Sequence, residues 1–349
     1  MSEFGIKLNS AHPPRGQVRS RPTMRDVAKR AGVGIKTVSR VVNKEPGVSD
    51  DTKAHILCAI ADLGFRPNIS ARDLKQGKTK SLGLVCEDLS EPFQSCLIRA
   101  VEEVAIKHGH MLFVASSAGD ADREQEAVQA LSSRQVGGLI ITPARSDPGR
   151  LATALPKDSS VVFVDRPAPG LIGDCILADN AGGIHAAVQH LTNHRHRRIA
   201  FIGDQPNLFT QTERVDAFRH ALQERGLPVD DRMISMQRPD PVTAAATLTD
   251  MLNLRDFPTA IITGNALCTF AVLHGLAGQK RRPALIGFDD FAMADLLDPA
   301  VTVIAQNAAR MGELAAELLF KRLSGAHTGS QTIRLATRLI VRGSGELAP

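Results

Sequence analysis

The sequence predicts an α/β protein: an N-terminal helix-turn-helix headpiece followed by a core of two α/β lobes. Three observations predict it. Residues 23–43 hold two short amphipathic helical patterns around a Gly-containing turn. From Ser81 onward, short apolar runs alternate with amphipathic helical patterns in two successive series. Charge is also segregated: residues 1–80 carry 16 Lys/Arg against 7 Asp/Glu, a net +9, so the rest of the +5 chain sums to −4. The 349 residues accommodate a headpiece of about 60 residues and one or two α/β domains of ~100–150.

Residues 1–22 contain Lys7, Pro13, Pro14, Arg15, Arg19 and Arg21 but no apolar core. They are expected to be a disordered basic arm, not a secretory signal. The headpiece is assigned to 23–67. Met24, Val27, Ala28 and Ala31 recur at helical spacing, and Thr23 with Asp26 forms a capping-box-like start. Gly32 makes the turn. The second helix places Ile35, Val38 and Val42 on one stripe, with Lys36, Thr37 and Arg40 off it. Gly34 is a tolerable N-cap, costing a few tenths of a kcal/mol. A third helix starts at Ser49, presents Ile56, Leu57, Ile60 and Leu63, and stops at Gly64. This is the arrangement that lays a second helix in the DNA major groove. There Lys36 and Arg40 can donate to guanine and Ile35 can touch a thymine methyl. Residues 68–80 follow as a short basic segment in which Leu74 is a large apolar side chain.

The core is assigned to 81–343. Its first series is strand 82–86, helix 93–108, strand 111–115, helix 122–133, and strands 139–141 and 161–164. The second is a helix from about Asp179 to Thr192, strand 199–202, helix 213–225, strand 260–263 and helix 267–278. Continuous apolar strands alternating with helices predict parallel sheets covered on both faces. Ligands bind beyond the carboxyl ends of such strands. That rule selects Glu87, Asp88, Thr142, Asp165, Arg166, Asp204, Gly264, Asn265, Asp289 and Gln306.

Several classes are excluded by the sequence. No run approaches the ~18 apolar residues of a membrane span. The five cysteines are scattered without a C-x-x-C, which suits a reducing cytoplasm and argues against disulfides or a zinc site. Gly77-Lys78-Thr79 has Arg at 72, where a phosphate loop needs Gly, and Gly343-Ser344-Gly345 follows Arg342, where a nucleophile elbow needs Gly. Of His190, His194 and His196, the first two stand at i, i+4, but no third metal ligand is evident. No catalytic residue, cofactor or metal is expected.

The run from Thr23 to Lys80 resembles the headpiece and hinge of the lactose-repressor (LacI/GalR) family. The carriers are Asp26-Val27-Ala28, Ala31-Gly32-Val33, Thr37 to Val41, Asn43, Val48-Ser49, Gly64 to Asn68, Ala71 and Leu74. The resemblance continues weakly to about residue 343. It implies a periplasmic-binding-protein-like core whose chain crosses between lobes three times, near Asp179, Ile304 and Gln331. Lobe 1 is then 81–178 and 306–330, lobe 2 is 179–304 and 331–343, and a helix over 308–323 returns to lobe 1. The resemblance also implies base reading by Ile35, Lys36 and Arg40. Backbone contacts are expected from Thr23, Thr37, Ser39 and Asn43, and minor-groove hinge contacts from Asn68, Ala71 and Leu74. In the cleft it adds Phe93, Gln94 and Arg214 to Asp88, Asp165, Asn265 and Gln306. Two cleft positions depart from the family pattern: Glu91 replaces an Asn before Pro92-Phe93, and Ala266 replaces an Asp after Asn265. The implied protein is a cytoplasmic, nucleoid-associated bacterial regulator, a homodimer on double-stranded operator DNA. Its implied effector is a small molecule, a sugar or related metabolite. The competing expectation is a solute-binding or sugar-metabolising α/β protein with an accessory basic domain.

Overall fold

The computed structural model describes residues 22–66, 79–145, 149–279, 281–325 and 329–349. The chain divides into two compact units, Met1–Gly77 and Lys78–Pro349. Asn68, Ala71 and Leu74 lie outside the described residues.

The first unit contains α1 (Met24–Ala31), α2 (Ile35–Val42) and α3 (Asp50–Leu63). Thr23 caps α1 through a reciprocal box with Asp26, and Gly32 ends it at φ +65°. Ser49 caps α3, and Gly64 ends it at φ +61°. Val27, Ala28, Val38, Val41, Ile56, Ala59 and Phe65 form the core. One position of the expected apolar face changes: Leu57 is 50% exposed, because the buried face of α3 runs through Ile56 and Ala59 and the adjoining position turns outward. Ile35, the first residue of α2 and an expected base reader, is 46% exposed.

The second unit holds two six-stranded sheets. The first contains β1 (Ser81–Cys86), β2 (Met111–Ser116), β3 (Leu139–Ile141), β4 (Val161–Val164), β5 (Asp174–Ala178) and β11 (Thr332–Leu335), in the order β11-β5-β4-β3-β1-β2. The second contains β6 (Ile199–Gly203), β7 (Ile234–Met236), β8 (Ala260–Thr263), β9 (Ala284–Phe288), β10 (Thr302–Ala305) and β12 (Arg338–Ile340), in the order β12-β10-β9-β8-β6-β7. The pairings are parallel except β12 with β10. The lobes therefore repeat one topology: β2-β1-β3-β4-β5 corresponds to β7-β6-β8-β9-β10. The helices are α4 (Pro92–Lys107), α5 (Ala121–Ser133), α6 (Gly149–Ala154), α7 (Asn180–Asn193), α8 (Phe209–Glu224), α9 (Pro241–Leu252), α10 (Ala266–Leu276) and α11 (Ala308–Leu323).

The chain crosses between sheets three times. β5 leads into α7, and β10 leads into α11, which packs Met311, Ala315 and Leu319 into the first lobe's core beside Leu97 and Val101 of α4. The third crossing is at residues 336–337, not at Gln331: β11 pairs with β5 in the first sheet, and β12 pairs with β10 in the second. Residues 332–340 run on without a Gly or Pro to mark the switch, so the sequence carried no signal for it. Strands β5, β7, β9 and β10 and helix α9 were also absent from the sequence reading. Helix α8 begins four residues before the expected Glu213.

β2 departs from the expected two-sided cover. It is the edge of its sheet, and Met111, Phe113 and Val114 are exposed there, as is Ile106 at the end of α4.

Candidate nucleic-acid interface and effector cleft

In the headpiece, burial of Val38 and Val41 fixes the rotation of α2. Ile35, Lys36 and Arg40 are exposed, and Thr37, Ser39 and Asn43 are half-buried. Gly34 caps α2 at φ −72°, ψ 149° without a side-chain bond. Asn43 Nδ2 donates to Ser39 Oγ at 3.3 Å, which holds these two polar groups together one turn apart. Thr23 forms the expected capping box: its hydroxyl donates to Asp26 Oδ2 at 2.7 Å and accepts from Asp26 N at 3.4 Å.

In the core, the strand-end residues converge from both lobes. Glu87, Asp88 and Glu91 of the first lobe face Asp204, Arg238 and Asn265 of the second across a cavity of about 130 Å³. The pseudo-symmetry extends to side chains. Asp165 follows β4 at φ +69°, and Asp289 follows the corresponding β9 at φ +71°. Each donates its N–H to the neighbouring strand, to Ile176 O at 2.8 Å and Ile304 O at 2.9 Å. Non-Gly residues at positive φ are uncommon, and two at equivalent strand ends mark a place where the backbone is bent to aim a side chain.

The cleft is rich in carboxylates. Arg166 pairs with Glu87 and donates to Pro143 O at 3.2 Å. Arg214 is 2% exposed. Its Nε donates to Asn180 Oδ1 at 2.8 Å, one terminal nitrogen donates to Gly264 O at 2.5 Å, and the guanidinium stacks 3.6 Å from the Phe288 ring centre. Burial raises the carboxyl pKa values of Glu91, Asp165 and Asp204. For Glu91 the neighbouring Asp289 adds to the effect. Burial also carries Asp289 up to about 6, although Arg214 and the Gln306 amide oppose it. Among the described residues, Gln94 Oε1, Thr142 Oγ1, Asp165 Oδ1 and Gln306 Oε1 are buried without a hydrogen-bond partner. A buried acceptor left without a donor is costly.

Several expected cleft residues also make contacts within their own lobe. Phe93 lies in the first lobe's apolar core with Leu97 and Val101. Asp88 accepts from the N–H and hydroxyl of Ser90 at 2.8 and 2.7 Å, an Asx turn at the cavity rim. Asn265 caps α10 by accepting from Cys268 N at 2.8 Å and donates to Asp204 at 3.1 Å. Gln211 fills the space beside Gly264, where a Cβ would meet its Oε1 at 2.3 Å.

Comparison with known proteins identifies this arrangement. The model for bacterial regulatory proteins of the lacI family matches residues 23–68, and a periplasmic binding protein-like domain matches 188–345. The chain is 30% identical over 329 residues to the transcriptional regulator GalR of Salmonella typhimurium (strain LT2), spanning 92% of this chain and 95% of that one. It is 31% identical over 329 residues to the transcriptional repressor PurR of Proteus mirabilis, spanning 92% and 96%. The chain belongs to the LacI family of bacterial regulatory proteins. This LacI-family protein is accordingly a DNA-binding transcriptional regulator built from a helix-turn-helix headpiece and a periplasmic-binding-like core. Its fold matches the lac repressor dimer bound to operator and the anti-inducer ONPF, with TM-score 0.80 and 22% identity over 94% of this chain and all of that one. It also matches a CelR–cellobiose complex, with TM-score 0.68 and 29% identity over 93% of this chain and all of that one.

The sequence gives no direct sign of Asn180 and Phe288 as cleft groups, or of Glu213 and Arg334 behind them. Asn180 stands at the first lobe crossing, a position that could have drawn attention. His190 and His196, weighed as metal ligands, serve the C-terminal segment instead. His190 pairs with Glu346, and His196 bonds Thr259 Oγ1 at 2.9 Å and Leu347 O at 2.8 Å. No helix among the described residues is long and apolar enough to cross a membrane.

Proposed function

We propose that this regulator is a homodimeric repressor of the bacterial cytoplasm that binds a pseudo-palindromic operator and answers to a small hydroxylated metabolite in the inter-lobe cleft. The observation that carries the DNA reading is the rotation of α2. Val38 and Val41 are buried, while Ile35, Lys36 and Arg40 stand exposed on the outer face. In the major groove those three side chains read base edges, and Ser39 and Asn43 hold phosphates. Thr37, beside Lys36, joins the backbone contacts. A dimer follows from the uncovered edge at β2, where Met111, Phe113 and Val114 need a partner surface.

The effector reading rests on Glu91, Asp204 and Asn265, which line the cavity from both lobes, and on Arg214, Asp165, Asp289, Gln94 and Gln306, buried polar groups outside that lining that offer donors and unpaired acceptors. The pattern suits a ligand with several hydroxyls, the class that cellobiose represents in the CelR complex. The cavity is smaller than the ~300–1,000 Å³ usual for ligand pockets, so the ligand is compact or parts the lobes on entry. Parting or closing the lobes is the change that DNA binding would sense.

A mobility shift with DNA from upstream of the protein's own gene tests the reading. With about 6–10 phosphates neutralised, affinity should fall ~10³–10⁵-fold between 50 and 200 mM salt. A flat response, or equal affinity for unrelated DNA, would overturn it.

A further inference from the structure

Outside the cleft, His185 of α7 meets His220 and Glu224 of α8 on the surface of the second lobe. His220 and Glu224 stand one turn apart, so their side chains lie over each other on one face. The His185 imidazole comes across from the neighbouring helix, its ring centre 5.6 Å from that of His220. One ligand atom from each of the three residues falls within a single small volume.

The hydrogen-bond pattern shows what this cluster wants. His185 Nδ1 lies 2.9 Å from the Ala181 carbonyl oxygen, which can only accept. Nδ1 therefore carries a hydrogen, and in the neutral ring that tautomer leaves a lone pair on Nε2. That lone pair faces a Glu224 carboxylate oxygen at 3.2 Å and His220 Nδ1 at 3.4 Å. His220 Nδ1 in turn lies 3.5 Å from the other Glu224 oxygen. A metal cation held between Nε2 and the carboxylate would satisfy both, alongside Arg225, whose guanidinium stands 3.9 Å from the Glu224 oxygen that faces His185. The backbone bond on the far nitrogen is the support that metal-binding histidines use to fix tautomer and orientation.

The spacing selects the kind of cation. Tetrahedral zinc, with bonds of about 2.0–2.1 Å, sets its ligand atoms roughly 3.3–3.4 Å apart. The two imidazole nitrogens stand 3.4 Å apart, and each has one oxygen of the Glu224 carboxylate at a similar distance, 3.2 Å from His185 and 3.5 Å from His220, close to the edges of such a tetrahedron. We propose that His185 Nε2, His220 Nδ1 and the Glu224 carboxylate bind one divalent transition-metal ion, zinc above all, with water as the fourth ligand. Imidazole and carboxylate ligands suit zinc, whereas magnesium and calcium prefer all-oxygen sites. The ion ties α7 to α8, the two helices that carry Asn180 and Arg214. It is a structural clamp on the second lobe and needs no part in DNA reading.

Titration of the full-length, chelator-treated protein with Zn²⁺ by calorimetry tests this. One ion should bind per chain, and the melting temperature should rise with Zn²⁺ concentration. Co²⁺ in its place should give the visible d–d absorption of a tetrahedral site. Both signals should be lost in the double variant H185A/H220A and weakened in E224Q. Circular dichroism of the metal-free variants reports that they fold, as expected for side chains at the surface. Zn²⁺ binding that persists unchanged in H185A/H220A would overturn the proposal, since it would belong to other histidines. So would a folded parent protein that binds no Zn²⁺, in which case a proton alone fills the gap.

Discussion

Arg334 on β11 of the first lobe grips Glu213 on α8 of the second through two hydrogen bonds, 3.1 Å to Oε1 and 3.2 Å to Oε2. The same Glu213 accepts from Asn180 Nδ2 at 2.8 Å, and Asn180 Oδ1 accepts from Arg214 Nε. A cross-lobe ion pair is thereby linked through one amide to the buried guanidinium of the cleft. Each group has a partner on both sides, so a shift of one lobe is felt at Arg214.

Two variants separate the ends of this relay. Arg334 is well exposed, so Arg334→Ala should cost only ~0.2–1 kcal/mol of interaction and alter effector affinity by up to about fivefold. Arg214→Ala should leave operator binding without effector near that of the parent and abolish the effector response. Anisotropy with labelled operator, with and without an effector found by metabolite screening, reads both. A normal response in Arg214→Ala would remove Arg214 from the effector site.

On the recognition helix, Arg40→Ala should weaken specific operator binding by ~1–3 kcal/mol and relax preference at one base pair per half-site. Competition against a set of single-base operator variants measures this. If operator and unrelated DNA weaken equally, Arg40 is a phosphate contact. Lys36→Ala serves as the comparison, since both residues are exposed on the same helix.

These residues were readable because headpiece signals are local. Thr23 with Asp26, Gly32, Ser49 and Gly64 are caps and stops that act within a few residues, and all five take those roles. The strand-end rule likewise picks out Asp165 and Asp204, because the apolar runs of β4 and β6 announce where they end. What escaped depends on contacts between distant segments. Asn180, Glu213 and Arg334 come together only when α7, α8 and β11 pack, and nothing in their own neighbourhoods marks them. Phe93 was assigned to the cleft from its place after Pro92. The turn of α4 that follows Pro92 points it into the core instead. β5 opens with Asp174, a poor strand former, which is held by Arg322 at 2.6 and 2.8 Å from α11. Its apolar run is too short to declare itself.

The acid-rich cleft should leave a pH signature. Asp289 has its pKa raised by burial to about 6, against an ordinary value of 3.8. The folded state therefore holds a proton on Asp289 more readily than the unfolded chain. This group's destabilising contribution is largest above pH 6 and fades as pH falls through 6 toward 4. Buried His196 has its pKa lowered by desolvation and works in the opposite direction below its ordinary 6.5, so the whole-protein curve mixes the two. The difference between Asp289→Asn and the parent isolates Asp289. The variant should melt higher at pH 7.5, and the gap should narrow as pH falls through 6 and close near pH 4. A gap independent of pH would mean that Asp289 is not titrating there.

Gly312 on α11 provides a test of packing in which two physical effects predict opposite signs. A Cβ built at this position would lie 2.4 Å from the Leu97 carbonyl oxygen of α4 and 3.0 Å from the Ala100 Cβ. Neither neighbour is the free end of a flexible side chain, so a methyl group can be admitted only by moving one helix. Helix propensity alone makes Gly312→Ala stabilising by ~0.8–1 kcal/mol. Overpacking a buried helix contact costs ~1–3 kcal/mol and should prevail, because Met311, Ala315 and Leu319 hold α11 in the first lobe's core. Urea denaturation of the core should therefore shift to lower midpoint in Gly312→Ala, with an unchanged slope. A higher midpoint would mean that α4 and α11 sit farther apart than the contact with Leu97 implies, and that the third segment of the first lobe is docked less tightly than its buried residues indicate.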